Sequence, residues 1–149
     1  MPRDEPDQRF LIAAPTGRDA LLTCAVLERA GLDALACAGV DELHRQASRG
    51  CAGLVLAEEV LVPATVARLA DLVAAQEPWS DLPVMLLTGE DSHSRHRGPN
   101  FSLLARLGNV TLLERPLRPV TMVSAVRAAL RARRRQYQAR QMLAAQAEA

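Results

Sequence analysis

The stretch Gly53-Leu-Val-Leu-Ala-Glu-Glu59 decides the fold. Small and apolar residues run straight into two carboxylates, and the run is bounded by Gly53 and Pro63. A run this short and this apolar reads as a strand buried on both faces of a sheet. In an open parallel sheet, ligands bind beyond the carboxyl ends of the central strands. Glu58 and Glu59 then stand at the mouth of such a crevice. The same two carboxylates would also suit a solvated loop opening the next helix, where acid complements the helix dipole.

Toward the N-terminus, Arg9-Phe-Leu-Ile-Ala-Ala14 predicts a strand stopped by Pro15-Thr16-Gly17. A helix follows over Arg18–Ala30, with Leu21, Leu22, Ala25 and Val26 at helical spacing, Thr16 or Asp19 as its cap and Gly31 as its stop. Asp33–Cys37 is a short, Ala-rich strand, and Val40–Arg49 an amphipathic helix closed by Gly50. Toward the C-terminus, Ala64–Gln76 predicts a helix entered through Pro63. Glu77-Pro-Trp-Ser-Asp81 is a loop and Pro83–Thr88 a second fully buried strand. Gly89–Asn100 is polar and aperiodic and predicts a mobile loop. Phe101–Leu107 suffices for a short helix, and Val110–Glu114 is the last strand. From Pro119 a helix carries Met122, Val123, Val126, Ala129 and Leu130 on its apolar face and continues through Arg131-Ala-Arg-Arg-Arg-Gln-Tyr137.

Five β-α units with crossovers long enough for right-handed connections predict an α/β fold. The expected arrangement is a flavodoxin-like (βα)5 doubly wound parallel sheet, order 2-1-3-4-5, with an extended C-terminal helix. Residues 1–8 read as a disordered tail, 9–133 as the folded domain and 134–149 as an Arg-rich helical extension or linker.

The 149 residues are 49% hydrophobic but only 3% aromatic, so the core is built from Leu, Val and Ala. No apolar run nears the roughly 18 residues that span a bilayer, and the polar N-terminus is not a secretory signal. Cys24, Cys37 and Cys51 lack metal-ligand spacing and read as reduced thiols of a cytoplasmic protein. A net charge of +1 supplies no global field to recruit nucleic acid. All 18 basic residues are arginine, so no lysine can act in any site.

Leu82-Pro-Val-Met-Leu-Leu-Thr-Gly89 and Leu112-Leu-Glu-Arg-Pro-Leu-Arg-Pro119 give the chain a recognisable likeness. It resembles the receiver domain of bacterial response regulators, the CheY-like family, over about Arg9–Arg133. The resemblance implies a pocket in which an acidic pair after the first strand holds Mg²⁺. An aspartate after the third strand accepts phosphoryl, and a Thr or Ser with a Lys holds its oxygens. The metal and the ammonium neutralise the transferring group.

In this sequence the acidic pair falls on Ala14 and Pro15, neither of which offers an oxygen side chain to a hard cation. The acceptor position falls on Glu58, or on Ala57 if the register slips by one. Thr88 is retained, the lysine position is Arg115 before Pro116, and the family's switch aromatic falls on Leu112. The Arg115-Pro116 bond is expected to be cis, proline having cut the trans preference. The chain therefore resembles a degenerate pseudo-receiver with no metal, no cofactor and no enzymatic activity. Glu58, paired with Arg115, either imitates a phosphorylated state or makes an ordinary ion pair at a retired site.

The C-terminal segment carries arginines at 115, 118, 127, 131, 133, 134, 135 and 140 and no acidic residue between Glu114 and Glu148. Arginine forks bind phosphate bidentately, so Arg118, Arg131, Arg133, Arg134 and Arg135 are candidates for binding a cyclic dinucleotide such as cyclic di-GMP, as some CheY-like proteins do. The other reading is a solvated helix leading to a further module or to a homodimer through the last helix. It resembles the connector from a receiver-like domain to a sensor histidine kinase. The expected partner is such a kinase or another signalling protein, contacted through the last strand and helix with Leu117, Met122 and Tyr137 exposed. No DNA-binding segment is legible. His93 and His96 lie in the polar loop without a third ligand and read as solvated. Trp79 reads as a plug at the core's edge.

Overall fold

The computed structural model describes residues 6–89 and 104–148. Its strands are β1 (Arg9–Ala13), β2 (Asp33–Ala36), β3 (Gly53–Ala57), β4 (Val84–Thr88) and β5 (Val110–Glu114). Its helices are α1 (Gly17–Arg29), α2 (Val40–Ser48), α3 (Pro63–Ala74) and α4 (Pro119–Glu148). The strands form one sheet in the order β2-β1-β3-β4-β5, every pairing parallel. This is the doubly wound arrangement expected from the alternation of elements, with the long terminal helix in place. The Arg115-Pro116 peptide is cis, as expected.

Period-two alternation divides the three inner strands between two cores. Phe10, Ile12, Val55, Met85 and Leu87 face α1 and α4, meeting Cys24, Leu27, Val126 and Leu130. Leu11, Leu54, Leu56, Val84 and Leu86 face α2 and α3, meeting Leu43 and Leu69. With helices on both sides, β3 and β4 have no solvent face and need apolar residues throughout. Edge strand β5 leaves Thr111, Leu112 and Glu114 exposed and buries only Leu113.

Local signals act where the sequence carries them. Thr16 Oγ1 accepts a hydrogen bond from the Asp19 amide at 3.1 Å, capping α1. Pro63 occupies the first turn of α3, where its missing N–H costs nothing. Gly31 and Gly108 adopt positive φ in the turns after α1 and before β5.

Two expected boundaries shift. Pro6–Gln8 form a single 3-10 turn tied to α4, with Arg140 Nη2 donating to Asp7 Oδ2 at 3.3 Å and Arg134 Nε to Gln8 Oε1 at 3.0 Å. These three residues do not belong to a disordered tail. At the other end, α4 runs unbroken through position 134, and buried Tyr137 still packs on the domain. A helix of 30 residues is about 45 Å long, against about 17 Å for a five-residue strand, so it outruns the sheet. Leu104 and Ala105 are helical. Arg106 and Leu107 of the expected short helix form a turn, and its residues 101–103 and the polar segment with His93 and His96 lie outside the described residues.

Gly53 sets where β3 lies. A Cβ there would stand 2.7 Å from the Phe10 ring and 2.9 Å from the Pro83 carbonyl oxygen. Gly53→Ala is therefore expected to destabilise the domain by about 1–3 kcal/mol through overpacking. Urea unfolding should show a lower midpoint with an unchanged slope.

Candidate functional site

The carboxyl ends of β1, β3, β4 and β5 bring the sequence-predicted residues to one edge of the sheet. Ala14 follows β1, Ala57 ends β3 with Glu58 next, and Thr88 ends β4 with Gly89 next. Arg115 follows β5. The register places Ala57 beside Leu87 and Thr88 beside Glu114, so these ends lie at one level. Thr88 is buried, and its carbonyl accepts two bonds from Arg115, from the backbone N–H at 2.8 Å and from Nε at 3.2 Å. The guanidinium is thereby aimed across the sheet toward β3.

Of the two candidates for the acceptor position, Glu58 occupies the mouth and Ala57 the wall behind it. Glu58 opens a short 3-10 turn, Glu58–Val60. Its Oε1 accepts the Gly89 N–H at 2.7 Å and lies 3.8 Å from Arg115 Nη2. Glycine suits position 89 because a Cβ there would come within 3.1 Å of Glu58 Oε1 and 3.4 Å of Arg115 Nη2.

The main partner of Arg115 is Glu59. Nη1 donates to Glu59 Oε2 at 3.1 Å and Nη2 donates to Oε1, a two-pronged pair. The expected Glu58–Arg115 pair is present at 3.8 Å, and Glu59 is the nearer partner that the expectation did not include. The hydrogen bond from Arg115 holds the Glu59 carboxyl below the ordinary carboxylate range, and Glu59 in turn raises Arg115 above the usual guanidinium value. The local signal was the doubled acid itself, since a tight turn lets the second carboxylate swing back over the strand end.

Ala14, Pro15 and Ala57 line a cavity of about 370 Å³ with Leu22, Leu87, Leu117 and Met122. Among the described residues Asp19 is the one carboxylate on that wall. Mg²⁺ is usually held by one or two carboxylates with waters completing its shell; the positions where the resemblance puts that pair, Ala14 and Pro15, offer no side-chain oxygen. Leu112, at the switch-aromatic position, is 39% exposed on β5 and is not among the residues lining the cavity. Met122 and Tyr137 were expected at a contact surface but are buried, Tyr137 on the inner face of α4 with its hydroxyl donating to the Cys51 carbonyl before β3. Leu117 is half-buried.

The five arginines proposed for a cyclic dinucleotide do not form one patch. Arg133 is turned into the protein and is 6% exposed. Arg131, Arg134 and Arg135 stay exposed on the opposite face. Arg118 is exposed before α4, about 20 Å from that trio along the helix axis. Burial pushes the thiols of Cys24, Cys37 and Cys51 up to about 11, which leaves them protonated and unreactive at neutral pH. No helix among the described residues is long and apolar enough to cross a membrane.

No protein-family model matches the chain, and no curated protein does. Its fold is similar to several solved structures. NtrX from Brucella abortus, solved in complex with ADP, superposes with a TM-score of 0.69 at 16% identity, covering 91% of this chain and 29% of that one. A response regulator receiver domain protein from Clostridium thermocellum gives 0.66 at 15% identity, with 85% and 96% covered. A CheY-like receiver domain protein from Methanospirillum hungatei JF-1 gives 0.67 at 15% identity, with 87% and 98% covered. The chain thus has the receiver fold of response regulators and spans under a third of the NtrX chain.

Because Arg115 holds the Glu59 carboxyl low, their pairing stabilises the folded state above the ordinary carboxylate range. That contribution is lost as pH falls through the lowered value. The pair is partly exposed, so Arg115→Gln is expected to cost less than about 1 kcal/mol at pH 7. Thermal melts of variant and parent should converge as the solution is taken below the carboxylate range.

Proposed function

We propose that this chain is a pseudo-receiver: a signalling module that acts by protein contact and does not accept phosphoryl at the position receivers use. One observation carries the reading. The crevice at the strand ends has an apolar wall, with Ala14 and Pro15 where the resemblance calls for metal ligands. Its acceptor position holds a glutamate already bonded to Gly89. The guanidinium at the lysine position is engaged by Glu59. Phosphoryl transfer needs countercharge free to meet the transferring group. Here that charge is spent within the protein.

In this reading the Glu58–Glu59–Arg115 cluster fixes the strand ends in one arrangement. The domain presents a constant surface to a histidine kinase or another signalling partner, and it is not an enzyme. Leu21 and Leu22 on α1, Leu112 on β5 and Val120 on α4 are exposed apolar residues available to that contact. They replace Met122 and Tyr137 as the residues to change when a partner is tested.

Incubation with acetyl phosphate and Mg²⁺, followed by intact-mass measurement, is expected to show no added phosphoryl group. Glu58→Asp alone should also stay unlabelled, because Ala14 and Pro15 still offer no ligands. Millimolar Mg²⁺ should leave the melting temperature unchanged, since a cation bound only by the folded state would raise it. A phosphorylated parent protein would overturn the proposal.

A further inference from the structure

At the opposite end of the sheet, a second cavity of about 340 Å³ opens between the α2–β3 turn, the end of α3, the loop before β4 and the middle of α4. Arg49, Arg133, Arg140, Trp79 and Tyr137 line it, together with two carboxylates, Asp7 and Glu77. Arg133 is the unusual member. It is 6% exposed, and among the described residues no carboxylate lies within ion-pair distance of it. Nε donates to Cys51 O at 3.2 Å, and Nη1 donates to Ser80 Oγ at 2.7 Å and Gln136 Oε1 at 2.6 Å. These acceptors are all neutral. Among the described residues no hydrogen bond runs from Nη2.

A buried cation without a counter-anion costs several kcal/mol. Aromatic faces offset part of that: the Arg133 guanidinium carbon lies 4.7 Å from the Tyr137 centroid and 5.7 Å from that of Trp79. Arg140 stacks on the same rings at 4.6 and 5.2 Å, and among the described residues its one carboxylate partner is Asp7, at 3.3 Å and partly exposed. Such a pair is weak and readily exchanged for a stronger anion. Two guanidiniums are therefore held side by side by the aromatic pair, and among the described residues one has no anion and the other a replaceable one.

We propose that this cavity binds a small organic phosphate. A phosphomonoester brings up to two negative charges and three acceptor oxygens, which suits convergent guanidiniums better than the two oxygens of a carboxylate. The cavity exceeds a bare phosphate and falls in the range of small-ligand pockets. Leu72 and Leu82 supply an apolar wall for the ligand's body. This site is independent of the strand-end crevice and uses Arg133 and Arg140 inside the fold.

Trp79 is the only tryptophan in the chain, so its fluorescence reports occupancy directly. The full chain would be titrated with adenosine 5′-monophosphate, ribose 5-phosphate, inorganic phosphate and uncharged adenosine. The expected result is a saturable change with at least one organic phosphate and none with adenosine at the same concentration. Raising the salt about tenfold should weaken it through screening. Arg140→Gln, at a partly exposed position, should lower affinity by about tenfold or more with the melting temperature little changed. Arg133→Met should remove binding, and if that variant fails to fold, Arg140→Gln decides. No saturable response to any phosphate, or a response unaltered in Arg140→Gln, would overturn the proposal. Equal affinity for inorganic phosphate would overturn the organic body of the ligand.

Discussion

Gly53 passes between the Phe10 ring and the Pro83 carbonyl with no room for a side chain. That closeness has consequences along the whole sheet. A strand buried on both faces draws little register information from its own pattern, because every residue is apolar. The glycine supplies what the pattern lacks, setting the start of β3 against both neighbours. Five residues later the strand ends, and Glu58 emerges level with Ala14, Gly89 and Arg115. A slip of one residue outward would carry Ala57 to the mouth, and a slip inward would draw the Glu58 carboxylate into the buried place of Ala57.

At that edge the contrast with a phosphate-accepting receiver is one of charge distribution. An acceptor pocket needs anions to hold a metal and a cation free to meet the phosphoryl oxygens. Here the wall that would carry the anions is mostly hydrocarbon, with Asp19 its one carboxylate among the described residues. The cation is oriented by the Thr88 carbonyl and engaged by Glu59. The low exposure of Thr88 and the close fit at Gly89 leave the residues around Arg115 little freedom. The same backbone therefore presents a site whose electrostatics are already satisfied.

The other end of the sheet reverses the balance. There a guanidinium is buried first and partnered afterwards, by neutral oxygens and two rings. Tyr137 joins this cluster through its hydroxyl, which donates to the Cys51 carbonyl at 2.8 Å. Gln136 adds a backbone clasp, accepting from the Asp81 amide and donating to its carbonyl. The first helical turns past the sheet are thus seated by polar contacts, whereas Met142 and Leu143 beyond them are exposed.

The sequence by itself determined the element order, the sheet order and the two buried central strands. Period, turn residues and strand length are local properties, and each pointed to the same fold. It also determined that Ala14 and Pro15 offer no side-chain oxygen, because side-chain identity suffices for that. Only the tertiary structure decided which glutamate binds Arg115, since a turn of three residues chooses between adjacent side chains. Only it decided that Arg133 and Tyr137 face inward. In the sequence Arg133 reads as one more charge in a basic helix, and its burial depends on Trp79, Ser80 and the Cys51 carbonyl, which reach it from distant parts of the chain.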